Sequence, residues 1–521
     1  MPFPSSAVDA NDLGAPREGL DNLWNALDQL LPGRVSRLER DRISYARDMW
    51  SLGLLWTRRG RTPTPPDAVL WPETEDELAR IVQLARTHHV PLIPFGAGSG
   101  VCGGTWALTG GLAVDLKRFE AIGPIDAINR TVEVGAGVMG ELLERHLNER
   151  GYTLGHFPSS IYMSTVGGWI AARSAGQLSG KYGKIEDMTV RVRVVLGTGE
   201  CLETPLRPQV GGDDAALLIG SEGTLCFFTG ATLRVQPLPE ARVFRAFEFD
   251  SLASGLEAMR LIFQSGLRPA AARLYDPFDT VVVARKHDGP HKKTPPSERG
   301  VVDRYLKPAA LRGLAATSFN VARLLNFAVD GFTRVRFVLM FEGEKRRCEA
   351  EDLLARDICI RVAAVDLGPD PARRWFESRY DVSFRMSGVI DSFSVADTME
   401  VACTWDKVKE VHRRVKEAVA PLAFSLCHFS HAYAEGCSLY FTFITSATGE
   451  GPMEERYQKV WAAALGAAIA AGSNVSHHHG IGLLKAEAYQ RSLGGAQRLL
   501  VDLKRRCDPD GIMNPGKLGF S

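Results

Sequence analysis

The sequence predicts an α+β protein with more than one domain, and three observations carry this prediction. The chain has 521 residues, which is more than one ordinary hydrophobic core encloses. Hydrophobic residues make up 45% and charged residues 24% of it, as in globular domains. Amphipathic helical stretches are interspersed with short apolar or alternating strands, without an internal repeat.

Composition also excludes several classes of protein. The 62 basic and 61 acidic residues nearly cancel, so nucleic acid is not an expected partner. The apolar run 460–472 is shorter than the about 20 residues of a membrane span and predicts a buried helix. The first residues lack the pattern of a secretory signal, which predicts a cytoplasmic location. Nine cysteines without a C-x-x-C pair indicate reduced thiols.

The first half of the chain predicts a domain that ends near residue 238. Residues 1–40, rich in Pro and Gly, are interpreted as a lead-in segment, and the domain itself as 41–238. TEDELARIVQLARTHH has helical periodicity, and VPLIPFG is a short apolar strand that runs into a glycine loop. GGLAVDL, TVEVGAG and VRVRVVLG predict further strands, with the helix GELLERHLNERG between the second and the third.

A second domain is predicted over residues 239–465, after a boundary marked by Pro237 and Pro239. The alternating strands FRAFEFD, VRFVLMFEG and CSLYFTFIT are separated by helical stretches, which indicates a mostly antiparallel sheet covered by helices. The segment 285–332 begins with an excess of Lys and Arg and with several prolines. It is interpreted as a mobile loop that is either a solvated insertion, a gate or a contact with a membrane surface.

The stretch PFGAGSGVCGG formally matches the dinucleotide pattern G-x-G-x-x-G. A Rossmann loop opens a helix, whereas TWALTGGLAVDL predicts a turn and another strand, so that fold is excluded. Successive backbone N–H groups of a glycine-rich turn can still cradle an anion such as a pyrophosphate. Residues 159–176 and 219–233 are two more stretches of small residues with the same character.

The run VSHHHGIG brings His477, His478 and His479 together. On a strand His477 and His479 would share one face and His478 would point to the other, so the run alone is a poor metal site, and no metal is expected. Two imidazoles on one face, joined by an arginine, would suit a phosphate or carboxylate. Structural, hydrogen-bonded histidines are the alternative.

These stretches resemble a known family. The three small-residue stretches and the C-terminal CDPDGIMNPGKLG are similar to the FAD-binding domain of vanillyl-alcohol-oxidase-type flavoproteins, and the resemblance runs from about residue 40 to 518. Within that superfamily, STVGGWIAARSAG, YGKIEDMTVRV, GSEGTL, ARLYD and SHHHGIG resemble the alkylglycerone-phosphate synthases (alkyl-dihydroxyacetone-phosphate synthases). This resemblance implies an FAD-binding domain built from both chain ends, with 466–521 returning to the flavin site, and a cap (substrate) domain between them.

The resemblance also implies which residues bind FAD. Neither PFGAGSG nor SSIYMST contains a histidine or cysteine, so FAD is expected to be bound without a covalent link, Cys102 being the only candidate nearby. The implied FAD contacts are Pro94, Phe95, Gly96, Ala97, Gly98, Ser99, Gly100, Ser159, Ser160, Ser164, Thr165, Gly168, Ala172, Arg173, Ser174, Ala175, Glu222, Gly223, Thr224, Leu225 and Phe228.

The substrate side of the site is implied in the same way. Tyr440 would be the acid/base, the histidine triplet would lie beside the flavin, and Arg273 and Arg385 would bind an anion. From the residues alone, Tyr440 is as consistent with a core tyrosine and the arginines with structural roles. His428 and His431, in CHFSHAY, stand where the family has other polar residues, and they join the candidates for substrate binding.

The predicted activity follows from the resemblance. It is the exchange of the acyl group of an acyl-dihydroxyacetone phosphate for a fatty alcohol, a step of ether lipid biosynthesis without net redox change, in which the oxidised flavin acts as an electrophile. The alternatives are an FAD-dependent 2-hydroxy-acid oxidase or dehydrogenase and a catalytically silent flavin-binding protein. The expected partners are a small-molecule substrate, a membrane surface contacted peripherally, and a second copy of the chain in a homodimer.

Overall fold

The computed structural model describes residues 17–58, 60–62, 64–206, 213–280, 333–381, 394–446 and 450–520. Up to residue 238 its strands are β1 Val35–Ser36, β2 Ala68–Leu70, β3 Leu92–Phe95, β4 Leu112–Asp115, β5 Ile122–Asp126, β6 Thr131–Gly135, β7 Tyr152–Thr153, β8 Thr189–Leu196, β9 Cys201–Glu203, β10 Cys226–Arg234 and β11 Gln236–Pro237. Its α-helices there are α1 Asp21–Leu30, α2 Glu39–Ser44, α3 Ser51–Arg58, α4 Glu75–His88, α5 Gly140–Asn148, α6 Val166–Ala172, α7 Ser179–Tyr182, α8 Ile185–Met188 and α9 Asp214–Leu218.

The rest of the described chain adds seven strands and seven α-helices. The strands are β12 Ala241–Phe249, β13 Ala271–Tyr275, β14 Val335–Gly343, β15 Val365–Gly368, β16 Ser394–Thr404, β17 Phe424–Ser430 and β18 Gly436–Ser446. The helices are α10 Leu252–Gln264, α11 Lys345–Arg361, α12 Asp370–Glu377, α13 Val408–Val419, α14 Glu450–Ala470, α15 Ala486–Ser492 and α16 Gln497–Cys507.

The contacts within the chain divide it into two units. Unit 1 contains the described residues of Met1–Gly176, Gly183–Leu238 and His478–Ser521, and unit 2 those of Gln177–Tyr182 and Pro239–His477. The short helix α7 therefore belongs to unit 2, although its neighbours in sequence belong to unit 1. This assignment could not be read from the sequence, because it depends on contacts with residues far along the chain.

Unit 1 contains two main sheets. One has the strand order β1-β2-β4-β3, in which β4 pairs with β2 and β3 in parallel. The other is an antiparallel sheet with the order β5-β6-β10-β8-β9. Helix α4 connects β2 to β3, and it begins at Thr74, whose hydroxyl accepts the N–H of Glu77. Its residues Leu78, Ile81 and Val82 are fully buried, as the helical spacing of the apolar residues predicts.

Residues 21–36 differ from the predicted lead-in segment because they form part of unit 1. Leu23, Leu27 and Leu31 are spaced by four residues and are fully buried in the same hydrophobic cluster as α4. Strand β1 pairs antiparallel with β2. The sequence did not predict this short amphipathic helix, because its surroundings are rich in Pro and Gly and its apolar stripe contains only a few residues.

Unit 2 is built on a seven-stranded sheet with the order β15-β12-β14-β13-β17-β18-β16, in which every described pair is antiparallel. Helices α10, α11 and α12 pack on β12 and β14, and α13 and α14 pack on β16 and β18. The predicted antiparallel sheet covered by helices, and with it the α+β class, is confirmed. Helix α14 runs through residue 465, so the second boundary of unit 2 lies at 477/478 and differs from the predicted 465/466.

All nine cysteines are free thiols. Among the described residues, no helix is both long enough and apolar enough to cross a membrane. The segment 285–332 and Arg385 lie outside the described residues.

Candidate flavin and substrate sites

The first glycine-rich stretch follows strand β3 as an irregular loop. Pro94 and Phe95 end the strand, and bends follow them in place of a helix, as the sequence predicted. Gly98 has φ +65°, a conformation that favours glycine, and a Cβ there would lie 2.8 Å from Cζ of Phe95. In this part of the described chain, the backbone N–H groups of residues 96–100 donate to no protein acceptor. Such a run of N–H donors can bind an anion.

Hydrogen bonds from Asp48 and its neighbour stabilise this loop. Its carboxylate accepts the N–H of Gly104 at 2.9 Å and the N–H of Trp50 at 3.0 Å, and the N–H of Met49 donates to the carbonyl of Gly100 at 2.8 Å. Burial raises the pKa of Asp48 to about 6, although these N–H groups and Lys517 oppose the shift. No sequence pattern indicates this role, because Asp48 lies 56 residues before Gly104.

The second stretch leads into helix α6. Thr165 begins the helix by accepting the N–H of Gly168 at 3.3 Å, and Arg173 ends it with φ +53°. The hydroxyl of Ser164 donates to the carbonyl of Ser160 and accepts the indole N–H of Trp169, both at 2.8 Å. Side chains in this stretch are therefore used within the protein, and backbone groups are its main surface for a ligand.

The third stretch, before strand β10, packs against the other two. The N–H of Glu222 donates to the carbonyl of Ala171 at 3.0 Å, and the N–H of Gly220 donates to that of Ile170 at 3.0 Å. A Cβ at Gly223 would lie 2.6 Å from Cγ of Pro94. The apolar candidates of this stretch, Leu225 and Phe228, are buried in the core of unit 1. The three stretches therefore lie close together in unit 1.

The C-terminal end of the chain joins the same cluster. The carboxylate of Glu222 accepts the N–H groups of Ile481 and Gly482 at 2.5 and 2.7 Å. The amide of Asn514 donates to the carbonyl of Glu222 at 2.7 Å and to that of Gly104 at 3.0 Å. Burial raises the pKa of Glu222, and the two N–H groups oppose this shift. Unit 1 is therefore built from both chain ends.

The histidine triplet does not have the geometry that the sequence argument assumed. Residues 477–479 form bends and not a strand, so the alternation of faces does not apply. His477 falls in unit 2, whereas His478 and His479 fall in unit 1, with ring centroids 4.6 Å apart at 73°. Within the described residues, no group of three His, Cys, Asp or Glu side chains could hold a metal ion.

A polar row crosses the sheet of unit 2. Tyr275 on β13 is paired with His428 on β17, His428 with Tyr440 on β18, and Tyr440 with Glu400 on β16. Residues directly opposite each other on neighbouring strands point to the same face, so these side chains share one side of the sheet. The rings of His428 and Tyr440 stack with centroids 4.7 Å apart. Glu400 is fully buried.

Arg273 and Asp279 complete this row at His428. Nη2 of Arg273 lies 2.6 Å from Nε2 and 3.1 Å from Nδ1 of His428, and Oδ2 of Asp279 lies 3.6 Å from Nδ1. Burial, and after it the nearby Asp276, raises the pKa of Asp279 to about 7. The sequence singled out Arg273 and His428 and missed Asp279, which lies in a helical turn that begins at Pro277 and has no distinctive pattern around it.

Tyr440 is partly buried on this row. Its hydroxyl donates to Oγ1 of Thr398 at 3.1 Å. Burial raises the pKa of Tyr440, and the opposing effects of Thr398 and Arg273 do not cancel it. The phenol therefore holds its proton at neutral pH.

His431 and His477 lie in a second cluster of unit 2, with ring centroids 5.3 Å apart. Oγ of Ser179 is 2.8 Å from Nδ1 of His431, and the hydroxyl of Tyr433 is 3.2 Å from both Oγ of Ser179 and Nε2 of His477. The backbone N–H of His477 donates to Glu400, which links this cluster to the polar row. Ser179 and Tyr433 were missed, since Ser179 lies 252 residues before His431.

The cradle in unit 1 fits a dinucleotide cofactor. The N–H groups of residues 96–100, which have no acceptor among the described residues, suit the oxygens of a pyrophosphate, and Gly98 has φ +65° in a place where a Cβ would collide with Phe95. His156, which contacts Ser174 in the second stretch, has a buried Nδ1 without a partner among the described residues. These features define a nucleotide-binding fold without a Rossmann helix.

Comparisons with known proteins specify that class. The FAD binding domain family matches residues 66–205, and the family of FAD linked oxidases, C-terminal domain, matches residues 238–518. The alkyldihydroxyacetonephosphate synthase of Trypanosoma brucei brucei is 30% identical over 510 residues, covering 94% of this chain and 78% of that protein. Glycolate oxidase subunit GlcD of Bacillus subtilis is 27% identical over 461 residues, covering 87% and 89%.

A solved alkyldihydroxyacetonephosphate synthase has the same fold, with a TM-score of 0.75 at 26% identity, covering 97% of this chain and 86% of that one. Fold and cradle together thus define an FAD-binding flavoprotein. The chain belongs to the FAD-linked oxidase family, on the branch of the alkyldihydroxyacetonephosphate synthases, and its cofactor is FAD.

Proposed function

We propose that this protein is an FAD-dependent alkyl transferase of the alkylglycerone-phosphate synthase type. It exchanges the acyl group of an acyl-dihydroxyacetone phosphate for a fatty alcohol, releasing a fatty acid, with no net change of redox state. The observation that carries this proposal is the similarity to an alkyldihydroxyacetonephosphate synthase over 94% of the chain. The polar row of unit 2 supports it, because a phosphorylated substrate requires cationic hydrogen-bond donors.

FAD is held by unit 1. The N–H groups of residues 96–100 take the pyrophosphate, and the backbones of residues 168–175 and 222–225 line the rest of the cofactor. Bound FAD supplies an electron-accepting ring system that activates the substrate carbon. The chain contributes the positioning of that ring, the exclusion of water around it and the proton transfers.

Arg273 and His428 bind the substrate anion. A guanidinium presents a planar fork to phosphate oxygens, and Arg273 is already placed against the imidazole of His428. Arg385 is a further candidate for this role on the resemblance, and His431 is one because it lies close to His428 in CHFSHAY. Arg273→Lys keeps the charge but removes the fork, so we expect it to raise the KM for the phosphorylated substrate.

Tyr440 acts as the acid/base of the exchange. Burial keeps its phenol protonated at neutral pH, so Tyr440 donates its proton to the carboxylate that leaves and recovers one from the hydroxyl of the alcohol that enters. The contact with Thr398 fixes the orientation of the hydroxyl. On the resemblance, the histidine triplet also takes part in catalysis.

One experiment tests the proposal against its main rival. The holoprotein is incubated with palmitoyl-dihydroxyacetone phosphate and labelled hexadecanol, and the ether product is sought by mass spectrometry. In parallel, the flavin absorbance is followed anaerobically during addition of D-lactate and glycolate. Ether formation without bleaching supports the transferase. Bleaching by a hydroxy acid without ether formation overturns it in favour of an oxidase, a function for which the similarity to a glycolate oxidase subunit speaks.

Two finer proposals rest on the sequence. The basic segment 285–332 would hold this cytoplasmic protein at the surface of an anionic membrane, where its lipid substrate resides, and two copies would form a homodimer. Co-sedimentation with phosphatidylserine vesicles at low and high salt tests the first proposal. Light scattering tests the second, and a monomeric mass at micromolar concentration would overturn it.

A further inference from the structure

Four side chains of unit 2 form a continuous hydrogen-bonded chain between two imidazoles. His431 contacts Ser179, Ser179 contacts Tyr433, and Tyr433 contacts His477, through the distances of 2.8, 3.2 and 3.2 Å given above. Each contact joins a ring nitrogen or a hydroxyl to the next hydroxyl. The chain therefore has two titratable ends and two hydroxyl groups between them.

The donor and acceptor inventory gives this chain a direction. Each hydroxyl has one proton to donate and lone pairs to accept with. If Nε2–H of His477 donates to Tyr433, then Tyr433 donates to Ser179 and Ser179 donates to Nδ1 of His431. If Nδ1–H of His431 donates instead, all three bonds reverse. The two directions differ by the transfer of one proton from one imidazole to the other.

Contacts with neighbouring residues hold these four side chains in place. Ser179 is buried in helix α7, whose Tyr182 donates to Oε1 of Glu342 at 2.6 Å, and Lys181 donates to the carbonyl of the same residue. His431 has φ +47°, a strained conformation for a residue other than glycine. At the other end, Glu400 accepts the N–H of His477 and the hydroxyl of Ser476.

We infer that Ser179 and Tyr433 form a proton relay between His431 and His477. In one transfer an N–H bond of the imidazolium at one end breaks, each hydroxyl passes on its proton while accepting another, and an N–H bond forms at the other end. One positive charge moves from one imidazole to the other, and no oxidant or reductant is needed. Ser179 and Tyr433 are thus positioning residues that act through the two histidines, and Glu400 is the charged group that faces the relay from β16.

The first test does not depend on the proposed function. The holoprotein is prepared with isotope-labelled histidine, and the ring nitrogens are followed by NMR as a function of pH. An intact relay couples the two imidazoles, so both resonances report both titration steps. In Ser179→Ala and Tyr433→Phe each histidine should titrate in a single step, whereas Ser179→Thr should retain the coupling. Titration curves that are the same in all four proteins would overturn the relay.

The second test rests on the proposed function and uses turnover. We expect Ser179→Ala and Tyr433→Phe to lower kcat about 100-fold with little change in KM, and to lose the curved dependence of kcat on the fraction of heavy water. Ser425→Ala is the matched control, because Oγ of Ser425 is buried in the same unit without a protein partner. Unchanged kcat in both relay variants would overturn the inference. Absence of ether formation in the parent protein would refute the function, and the NMR result would still decide the relay.

Discussion

Tyr440 illustrates at the residue scale how position changes the role of a side chain. Strand alternation alone makes it a core tyrosine, but it is only partly buried, its ring stacks on His428 and its neighbour across the sheet is Glu400. The cost of removing a charged phenolate from water exceeds the help from Arg273, so burial decides its protonation state. Its chemistry at neutral pH is that of a buried acid.

The first prediction concerns this residue. Tyr440→Phe keeps the ring and its stacking but removes the exchangeable proton, so turnover should fall about 100-fold while flavin content and Tm hardly change. Tyr457→Phe is the control, since Tyr457 is a buried tyrosine of unit 2 and donates to Asp397. It should lower stability by about 1 kcal/mol and leave turnover intact. Full activity in Tyr440→Phe would return Tyr440 to a packing role.

His156 supplies a prediction about pH. It is buried, its Nε2 lies 2.8 Å from Oγ of Ser174, and burial lowers its pKa to about 3. The native state therefore keeps His156 neutral, while the unfolded chain takes up a proton near pH 6.5. The stability that this provides is complete above pH 6.5 and is lost as the pH falls towards 3, on the order of 4 kcal/mol in all.

His156→Gln removes the titrating group but retains a polar end near Ser174. We expect the urea midpoint of this variant to change less between pH 7 and 4 than that of the parent protein. His146→Gln, on the partly exposed side of α5, serves as the control and should follow the parent. Parallel pH profiles for all three proteins would contradict the assignment of acid sensitivity to His156.

At the scale of elements, sequence patterns predicted the helices and strands that interactions between nearby residues determine. Helix α4 and strands β3, β12, β14 and β18 were predicted from periodicity, because each has an apolar face of regular spacing. The sequence also predicted that the first glycine-rich stretch is not a Rossmann loop, because the residues after it have the pattern of a turn and a strand. The sequence did not predict that helix α7 belongs to unit 2, that Asp48 contacts the glycine loop or that the triplet forms bends. These features depend on partners tens to hundreds of residues away.

The glycine loop gives a prediction with an internal control. Ala at position 98 would have to adopt φ +65° and would place its Cβ 2.8 Å from Phe95, which together cost about 1 to 2 kcal/mol or more. Gly98→Ala should therefore weaken FAD binding about 10-fold or more, as measured by fluorescence titration of the apoprotein. Gly104→Ala should bind FAD as the parent does, since a Cβ there meets nothing within 4 Å. Equal affinities for both variants would contradict the cradle.

At the scale of the whole molecule, the two chain ends meet in unit 1 and the polar row lies entirely in unit 2. Cofactor and substrate chemistry are thus assigned to different parts of the chain. The sequence predicted this division through the resemblance, and the residue composition of each loop was enough to find the FAD cradle. The support behind each loop, such as Asp48 and Asn514, required the three-dimensional contacts.

The mode of FAD attachment is a prediction at this scale. Cys102 is buried beside the glycine loop, so its side chain is packed within the protein. Its carbonyl accepts the N–H of Leu483 at 2.9 Å. Acid precipitation should therefore leave the yellow colour in the supernatant. Flavin that stays with the washed pellet would show a covalent link, and peptide mapping would then identify the attached residue.

The last prediction follows from the assignment of the cradle to unit 1. Without FAD, the N–H groups of residues 96–100 have no acceptor among the residues that the structure describes, so they should exchange with solvent rapidly in the apoprotein. FAD oxygens supply acceptors, and exchange should slow at these amides. Strands β14 and β17, in the interior of the seven-stranded sheet, are hydrogen-bonded on both sides in either state and should change little.

Hydrogen exchange followed by mass spectrometry, on apoprotein before and after addition of FAD, makes this comparison within one molecule. The peptide that covers residues 94–104 should gain the most protection, and peptides that contain Ala171 and Glu222 should gain protection with it, because their backbones are joined by a hydrogen bond of 3.0 Å. Gly98→Ala should reduce the gain in all three peptides together. Protection confined to β14 and β17 would place FAD against unit 2 and contradict the cradle, because no change at residues 96–100 can coexist with a pyrophosphate bound to their N–H groups.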